Sequence, residues 1–183
     1  LEIIEVEQED VTKLSFRFPP APHSGKVTFR IEEVSKSYDD LNILNNINLE
    51  INKGEKIAFV GKNGEGKSTL AKMLVNELDY DGTVKLGHQV KVGYYAQNQV
   101  EFLDDNLTVL ETIEQAANED VSGRVRSILG SFLFSNDEVK KKIKVLSGGE
   151  RARVALCKLL LEPYNLLIMD EPTNHLDMES IEA

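Results

Sequence analysis

"KIAFVGKNGEGKSTLAKMLVNEL", residues 56–78, is the stretch on which the fold turns. Its opening, "KIAFVG", is a short apolar run bounded by glycines, the pattern of a strand buried on both faces. Its second half, "KSTLAKMLVNEL", sets Leu70, Met73, Leu74 and Leu78 at helical spacing. Strand, glycine loop and helix in that order predict an α/β domain, and the flanking segments extend it. "KVTFRIEEV" (26–34) and "NINLEI" (46–51) alternate like half-buried strands, and "GTVKLG" (82–87) and "VKVGYYAQ" (90–97) also read as strands. The character then changes. "LTVLETIEQAA" (107–117) begins with Thr108 and Glu111 in capping-box spacing, and "VRSILGSFLF" (125–134) and "DEVKKKI" (137–143) also suit helices. An all-helical insert is therefore expected between about Val100 and Val145. After it, "GERARVALCKLLLE" (149–162) reads as an amphipathic helix ended by Pro163, and "NLLIMD" (165–170) as a buried strand. No internal repeat is visible.

The chain has 183 residues, enough for one domain with a substantial core, and its 41% hydrophobic and 28% charged residues suit a folded globular protein. Its formal charge of −10 argues against broad adhesion to nucleic acid or an anionic membrane, which require a basic face. A single cysteine, Cys157, precludes an internal disulfide and points to a reducing cytoplasm; its place on the apolar side of a helix favours core packing. No apolar run approaches the ~20 residues needed to span a bilayer, so no membrane insertion is expected. Residues 1–26 differ from the rest: an acidic stretch, a short alternation (Leu14, Phe16, Phe18) and a Pro-containing break read as the tail of a preceding linker. The domain is expected from Val27 to the end. The start at Leu1 rather than Met suggests a piece of a longer polypeptide.

Residues 61–69, "GKNGEGKST", fit the pattern G-x-x-x-x-G-K-[ST] through Gly61, Gly66, Lys67 and Ser68. Glycines let backbone N–H groups turn inward around phosphate oxygens, and the following helix offers its positive end. Lys67 would reach the β- and γ-phosphates, and the Ser68 hydroxyl would ligate Mg²⁺. "DE" at 170–171 supplies the second half. A nucleotide-hydrolysing site of this type needs a carboxylate at the end of a neighbouring strand for Mg²⁺, which Asp170 provides. It also needs a base or water-orienting group, for which Glu171 is placed. His23, His88 and His175 each stand alone, without a second His or Cys at zinc spacing.

A further motif, "LSGGE" from Leu146 to Glu150, lies 20 residues before Asp170. With it the sequence resembles the nucleotide-binding domain of an ABC ATPase. The resemblance implies a P-loop fold of the ABC type, with an antiparallel β subdomain and a small helical subdomain. It implies two ATP molecules, with Mg²⁺, held head to tail between two such domains. On this chain's side it implies nucleotide contacts from Tyr38, Gly61, Asn63, Gly64, Gly66, Lys67, Ser68 and Thr69, with Tyr38 stacking on adenine from 23 residues before Gly61. Toward the nucleotide of the partner domain it implies Ser147, Gly148, Gly149 and Glu150. Locally, Ser147 and Glu150 also have the spacing of a capping box. Glu171 takes the part of the base, Gln97 approaches Mg²⁺ and the attacking water, and Ser68, Gln97 and Asp170 serve the metal. "NHLD" (174–177) matches the loop that crosses the interface of such dimers.

The string "DEPTNHLD" (170–177) is similar to that of the ABC-F branch, soluble proteins with two ATPase domains on one chain. The compact stretch from Gln97 to Leu146 and the acidic lead-in agree with a second domain of this kind. Members act on translating ribosomes, so the resemblance implies a ribosomal partner and ATP-driven closure. Two departures stand out: Glu65 occupies a P-loop position where a small residue is usual, and the switch histidine expected some thirty residues after the "DE" strand is absent because the chain ends first. Rival readings are the ATP-hydrolysing subunit of an ABC transporter and a non-hydrolysing, nucleotide-controlled clamp.

Overall fold

A computed structural model of the chain describes residues 19–172. Strands β1 (Val27–Tyr38) and β2 (Leu41–Asn52) form an antiparallel hairpin, and β3 (Asp81–Leu86) pairs antiparallel on the free edge of β1, giving the order β2-β1-β3. The alternation in β1 changes phase midway: Phe29 and Ile31 are buried, and so is Val34. Bulges make this slip, with Glu33 of β1 at φ 55° and Asn46 of β2 at φ 50°. Side chains take the freed amides, Asn48 Oδ1 accepting from Glu33 N–H and Ser35 Oγ from Asn46 N–H, each at 2.9 Å. Against the buried face lies helix α1 (Lys67–Leu74), contributing Leu70, Ala71, Met73 and Leu74 to one core.

The helical pattern around α1 extends to Leu78, yet the helix stops at Leu74. Asn76 is the reason. It adopts φ 62°, its N–H reaches the Met73 carbonyl at 3.0 Å, and Glu77 N–H reaches the Lys72 carbonyl at 2.9 Å. This is the paired bonding of a Schellman ending, with asparagine in the left-handed position usually held by glycine.

Strands β4 (Val92–Tyr95) and β5 (Leu166–Met169) pair in parallel, Tyr94 opposite Ile168 and Tyr95 opposite Met169. Their two faces enter different cores. Tyr94 and Ile168 pack with the β1–β2–α1 core, whereas Tyr95 joins a second core of Val109, Ile113, Leu129, Phe132, Ile143 and residues of helix α5 (Gly148–Leu160). Between β4 and α5 the expected helical insert is present, as α2 (Val109–Ala116), α3 (Glu119–Ser122), α4 (Val125–Ser131) and three single turns of 3₁₀ helix. α2 opens with the expected capping box: Thr108 Oγ1 accepts Glu111 N–H and Glu111 Oε2 accepts Thr108 N–H. Cys157 is fully buried in this core, and burial pushes its thiol up to about 12.

Three further expectations fail. "NLLIMD" pairs as strand β5 but is not a buried one, since within β5 only Ile168 is buried while Leu167 and Met169 are exposed. "DEVKKKI" forms only the turn Glu138–Lys140, because the chain is then drawn into extended pairing with the start of α2. Thr108 bridges Lys142, Val109 N–H donates to the Lys141 carbonyl at 3.0 Å, and Ile143 N–H to the Leu107 carbonyl at 2.9 Å. "KIAFVG" is not a buried strand: residues 55–62 are exposed and carry no strand pairing, with Val60 94% exposed. An interior parallel strand needs ladder partners on both edges and cover on both faces. Among the described residues the parallel sheet consists of β4 and β5 alone. The α/β class, the antiparallel part and the helical part stand as expected. Residues 1–18 and 173–183, including the start of the 1–26 segment, His175 and "NHLD", lie outside the described residues.

Candidate functional site

The glycine loop is built by its contacts with β2. Gly66, at φ 86°, precedes α1, and a Cβ there would meet Ile43 Cγ2 at 2.7 Å, so both backbone conformation and space demand glycine. Gly64 also takes a left-handed turn, at φ 87°. These turns leave Gly61, Asn63, Gly64 and Glu65 exposed, while Lys67, Ser68 and Thr69 at the start of α1 are half-buried. Lys67 Nζ lies back across the loop, donating to the carbonyls of Gly61 at 2.9 Å and Lys62 at 2.8 Å.

Residues far apart in sequence meet beside this loop. Ser68 Oγ donates to Asp170 Oδ1 at 2.9 Å across 102 positions of chain. Asp170 is 5% exposed, and its backbone is fixed where β5 ends by N–H donation to the Tyr95 carbonyl at 2.9 Å. Gln97, exposed just beyond β4, donates from Nε2 to Glu171 Oε2 at 3.3 Å. Glu171 itself has φ 48°, an unusual conformation for a residue with a side chain, which turns it off the line of β5. Adjacent acids in sequence thereby face different partners: Asp170 the helix serine, Glu171 the glutamine.

Tyr94 was not among the expected site residues. Burial, together with the charges of Asp170 and Glu77, pushes its phenol up to about 12. The alternation of β4, which sends Tyr94 and Tyr95 to opposite faces, is the signal that could have found it.

Tyr38 ends β1, 45% exposed beside the turn at Asp39–Asp40, and Lys36 Nζ lies 5.1 Å from its ring centroid. One ring face is thus engaged by a cation. The "LSGGE" segment forms the capping box that its spacing allows. Ser147 Oγ accepts Glu150 N–H at 3.2 Å, and Glu150 Oε2 accepts Ser147 N–H at 2.6 Å. Those bonds hold the Glu150 carboxyl below its ordinary range. Gly148 and Gly149 form the first turn of α5, and Ser147 and Gly148 are exposed. Ser147→Ala should therefore lower stability by about 1 kcal/mol through loss of the cap. Urea unfolding measures it, and an unchanged midpoint would show that the cap carries no weight.

His23 and His88 are exposed, and among the described residues no three His, Cys, Asp or Glu side chains form a metal-holding group. An oxygen pair does exist in the Ser68 hydroxyl and the buried Asp170 carboxylate. That is a donor set suited to Mg²⁺, which takes one or two protein oxygens and completes its shell with phosphate and water.

A family model described as "ABC transporter" matches residues 44–174, a span containing the loop, the capping serine and both acids. The chain belongs to the ABC transporter family. Relatives of this ABC chain include "Probable ATP-binding protein YbiT" of Escherichia coli O157:H7, 50% identical over 84% of the chain. "ABC transporter F family member 5" of Arabidopsis thaliana is 42% identical over 96% of it. The chain spans 29% and 27% of the lengths of these relatives. Its fold is that of ABC ATPase domains. A dimeric ATP-binding cassette solved in a post-hydrolysis state with ADP and Pi superposes with TM-score 0.69 at 24% identity, covering 84% of this chain and 78% of that one. A bacterial Atm1-family ABC exporter with ATP bound gives the same TM-score and identity over 89% of this chain and 32% of its own.

Proposed function

We propose that this ABC chain binds ATP through residues 61–69 and contributes half of a hydrolytic site, completed by a second ABC domain. The observation that carries this reading is the Ser68–Asp170 hydrogen bond, which joins the helix after the glycine loop to the end of β5. A pair of oxygens there suits the Mg²⁺ of a magnesium nucleotide. Bound Mg²⁺ would supply charge neutralisation at the phosphates, held by Ser68 and Asp170 with Gln97 nearby. Lys67 is the cation that follows the phosphates, and Tyr38 offers its remaining ring face to the adenine. Glu171 takes the proton of the attacking water, and Gln97, bonded to it, fixes the carboxylate's orientation. Ser147 and Gly148, exposed at the start of α5, with the half-buried Gly149 and Glu150 behind them, address the nucleotide of the partner domain.

The F-family names among the relatives and the string "DEPTNHLD" support an ABC-F role, as a second ATPase domain acting with ribosomes in the cytoplasm. Among the described residues no helix is long and apolar enough to cross a membrane. ATP turnover per chain, measured across a wide range of protein concentration with and without ribosomes, tests the proposal. Turnover should be low in dilute solution and rise with concentration as two sites pair, and ribosomes should change it. Robust turnover independent of concentration would contradict the paired site, and indifference to ribosomes would contradict the ABC-F role.

A further inference from the structure

Strand β5, "LLIM", is apolar at every position. Register in a sheet is ordinarily specified by alternation of apolar and polar side chains, and a slip of one residue turns every side chain to the opposite face. Uniformly apolar β5 carries no such alternation. Its register matters all the same, because Asp170 follows directly and must share the face of Ile168, toward α1, to meet Ser68 Oγ. Among the described residues β5 has one ladder partner, β4, over four residue pairs. Its register therefore depends on what holds its ends.

The upstream end is held by polar contacts centred on Asn165. Its Oδ1 accepts the Lys91 N–H at 2.7 Å, and the N–H groups of Asn165 and Leu166 reach the Lys91 carbonyl at 3.1 and 3.3 Å. Its Nδ2 donates to the carbonyls of Gln89 at 2.9 Å and Pro22 at 3.1 Å, across 76 and 143 positions of chain. One half-buried side chain thus joins the segment before β1, the entry to β4 and the start of β5. Neighbouring residues reinforce it: Lys91 pairs with Glu162, and the Tyr164 ring lies so close to Gly93 that a Cβ there would meet it at 2.6 Å. A slip of β5 against β4 would break the bonds to Lys91 and Gln89 together.

We propose that Asn165 is a positioning residue for the metal end of the site: by pinning the start of β5 to Lys91, Gln89 and Pro22, it sets the register that turns Asp170 toward Ser68. The inference rests on the reading of Ser68 and Asp170 as the oxygens that hold Mg²⁺. It also gives the segment before β1 a hold on the site, since Pro22 is bonded to the side chain that fixes β5.

Asn165→Asp keeps the shape of the side chain and an oxygen for Lys91 N–H but removes both donors, and Asn165→Ala removes all three side-chain bonds. The full chain is used in two measurements. The first is hydrogen exchange at the Asp170 amide, which is bonded to the Tyr95 carbonyl at the far end of β5. Exchange there should quicken by about tenfold in Asn165→Asp and further in Asn165→Ala, while amides of α2 exchange as in the parent. Unchanged exchange at Asp170, or a rise shared by α2, would overturn the proposal. The second is titration with ATP in the presence of Mg²⁺ and of a chelator. Asn165→Asp should bind ATP about tenfold more weakly with Mg²⁺ and within about twofold of the parent without it. A merely structural role would weaken both alike. Asp170→Asn separates the inference from the reading beneath it. If that variant keeps the parental response to Mg²⁺, the metal reading falls and this inference with it. If it loses the response while Asn165→Asp retains it, the inference alone falls.

Discussion

Lys67→Ala is expected to weaken ATP binding by about a hundredfold or more. The side chain is confined within the loop by the carbonyls of Gly61 and Lys62, so little ordering remains to be done when it binds phosphates. Each hydrogen bond from a cation to a phosphate oxygen contributes about 1.5–3 kcal/mol, and two of them make a hundredfold effect. Truncation removes both and leaves the polyphosphate facing a loop that contains the Glu65 carboxylate. Fluorescence titration with a labelled ATP analogue gives the ratio directly. Affinity unchanged from the parent would remove residues 61–69 from the nucleotide site.

Glu171→Gln should keep ATP binding near the parental value while turnover falls by about 10²–10⁴, the usual contribution of a positioned general base. The amide is isosteric and still offers an oxygen to Gln97 Nε2, which now lies 3.3 Å from the carboxylate, so the local arrangement survives the change. What is lost is the capacity to take a proton. ATP then accumulates unhydrolysed, and the paired, ATP-bound form should persist, visible as a long-lived dimer in size-exclusion chromatography. Turnover at the parental rate would assign the base to another residue.

Much of this architecture was legible in local patterns because local physics decides it. The boxes at Thr108–Glu111 and Ser147–Glu150 bond as their spacing foretells, since a helix start needs only its own four residues. The pairing of Ser68 with Asp170 was legible only as chemistry. Their 102-residue separation is closed by the packing of α1 against the sheet, which no window of sequence contains. Where patterns misled, a non-local partner was at work. "DEVKKKI" has helical spacing but is taken by the backbone of residues 107–109, and "KIAFVG" has the composition of an inner strand without ladder partners among the described residues. Asn76 and Glu33 were overlooked for a different reason: left-handed turns at non-glycine residues leave little trace in composition.

The exposed run at 57–60 bears on how this molecule behaves in a tube. Ile57, Phe59 and Val60 place uncharged, β-prone side chains on backbone that pairs with no strand among the described residues, and Leu167 and Met169 of β5 are also open to solvent. Such a surface is adhesive toward any similar edge, and only the net charge of −10 keeps molecules apart. Stickiness of that origin strengthens as salt screens the charge and takes no account of nucleotide. Pairing around ATP is the opposite case, since it depends on the nucleotide and dissolves when it is withdrawn. The response to nucleotide withdrawal therefore separates a working dimer from colloidal clumping of the same chain.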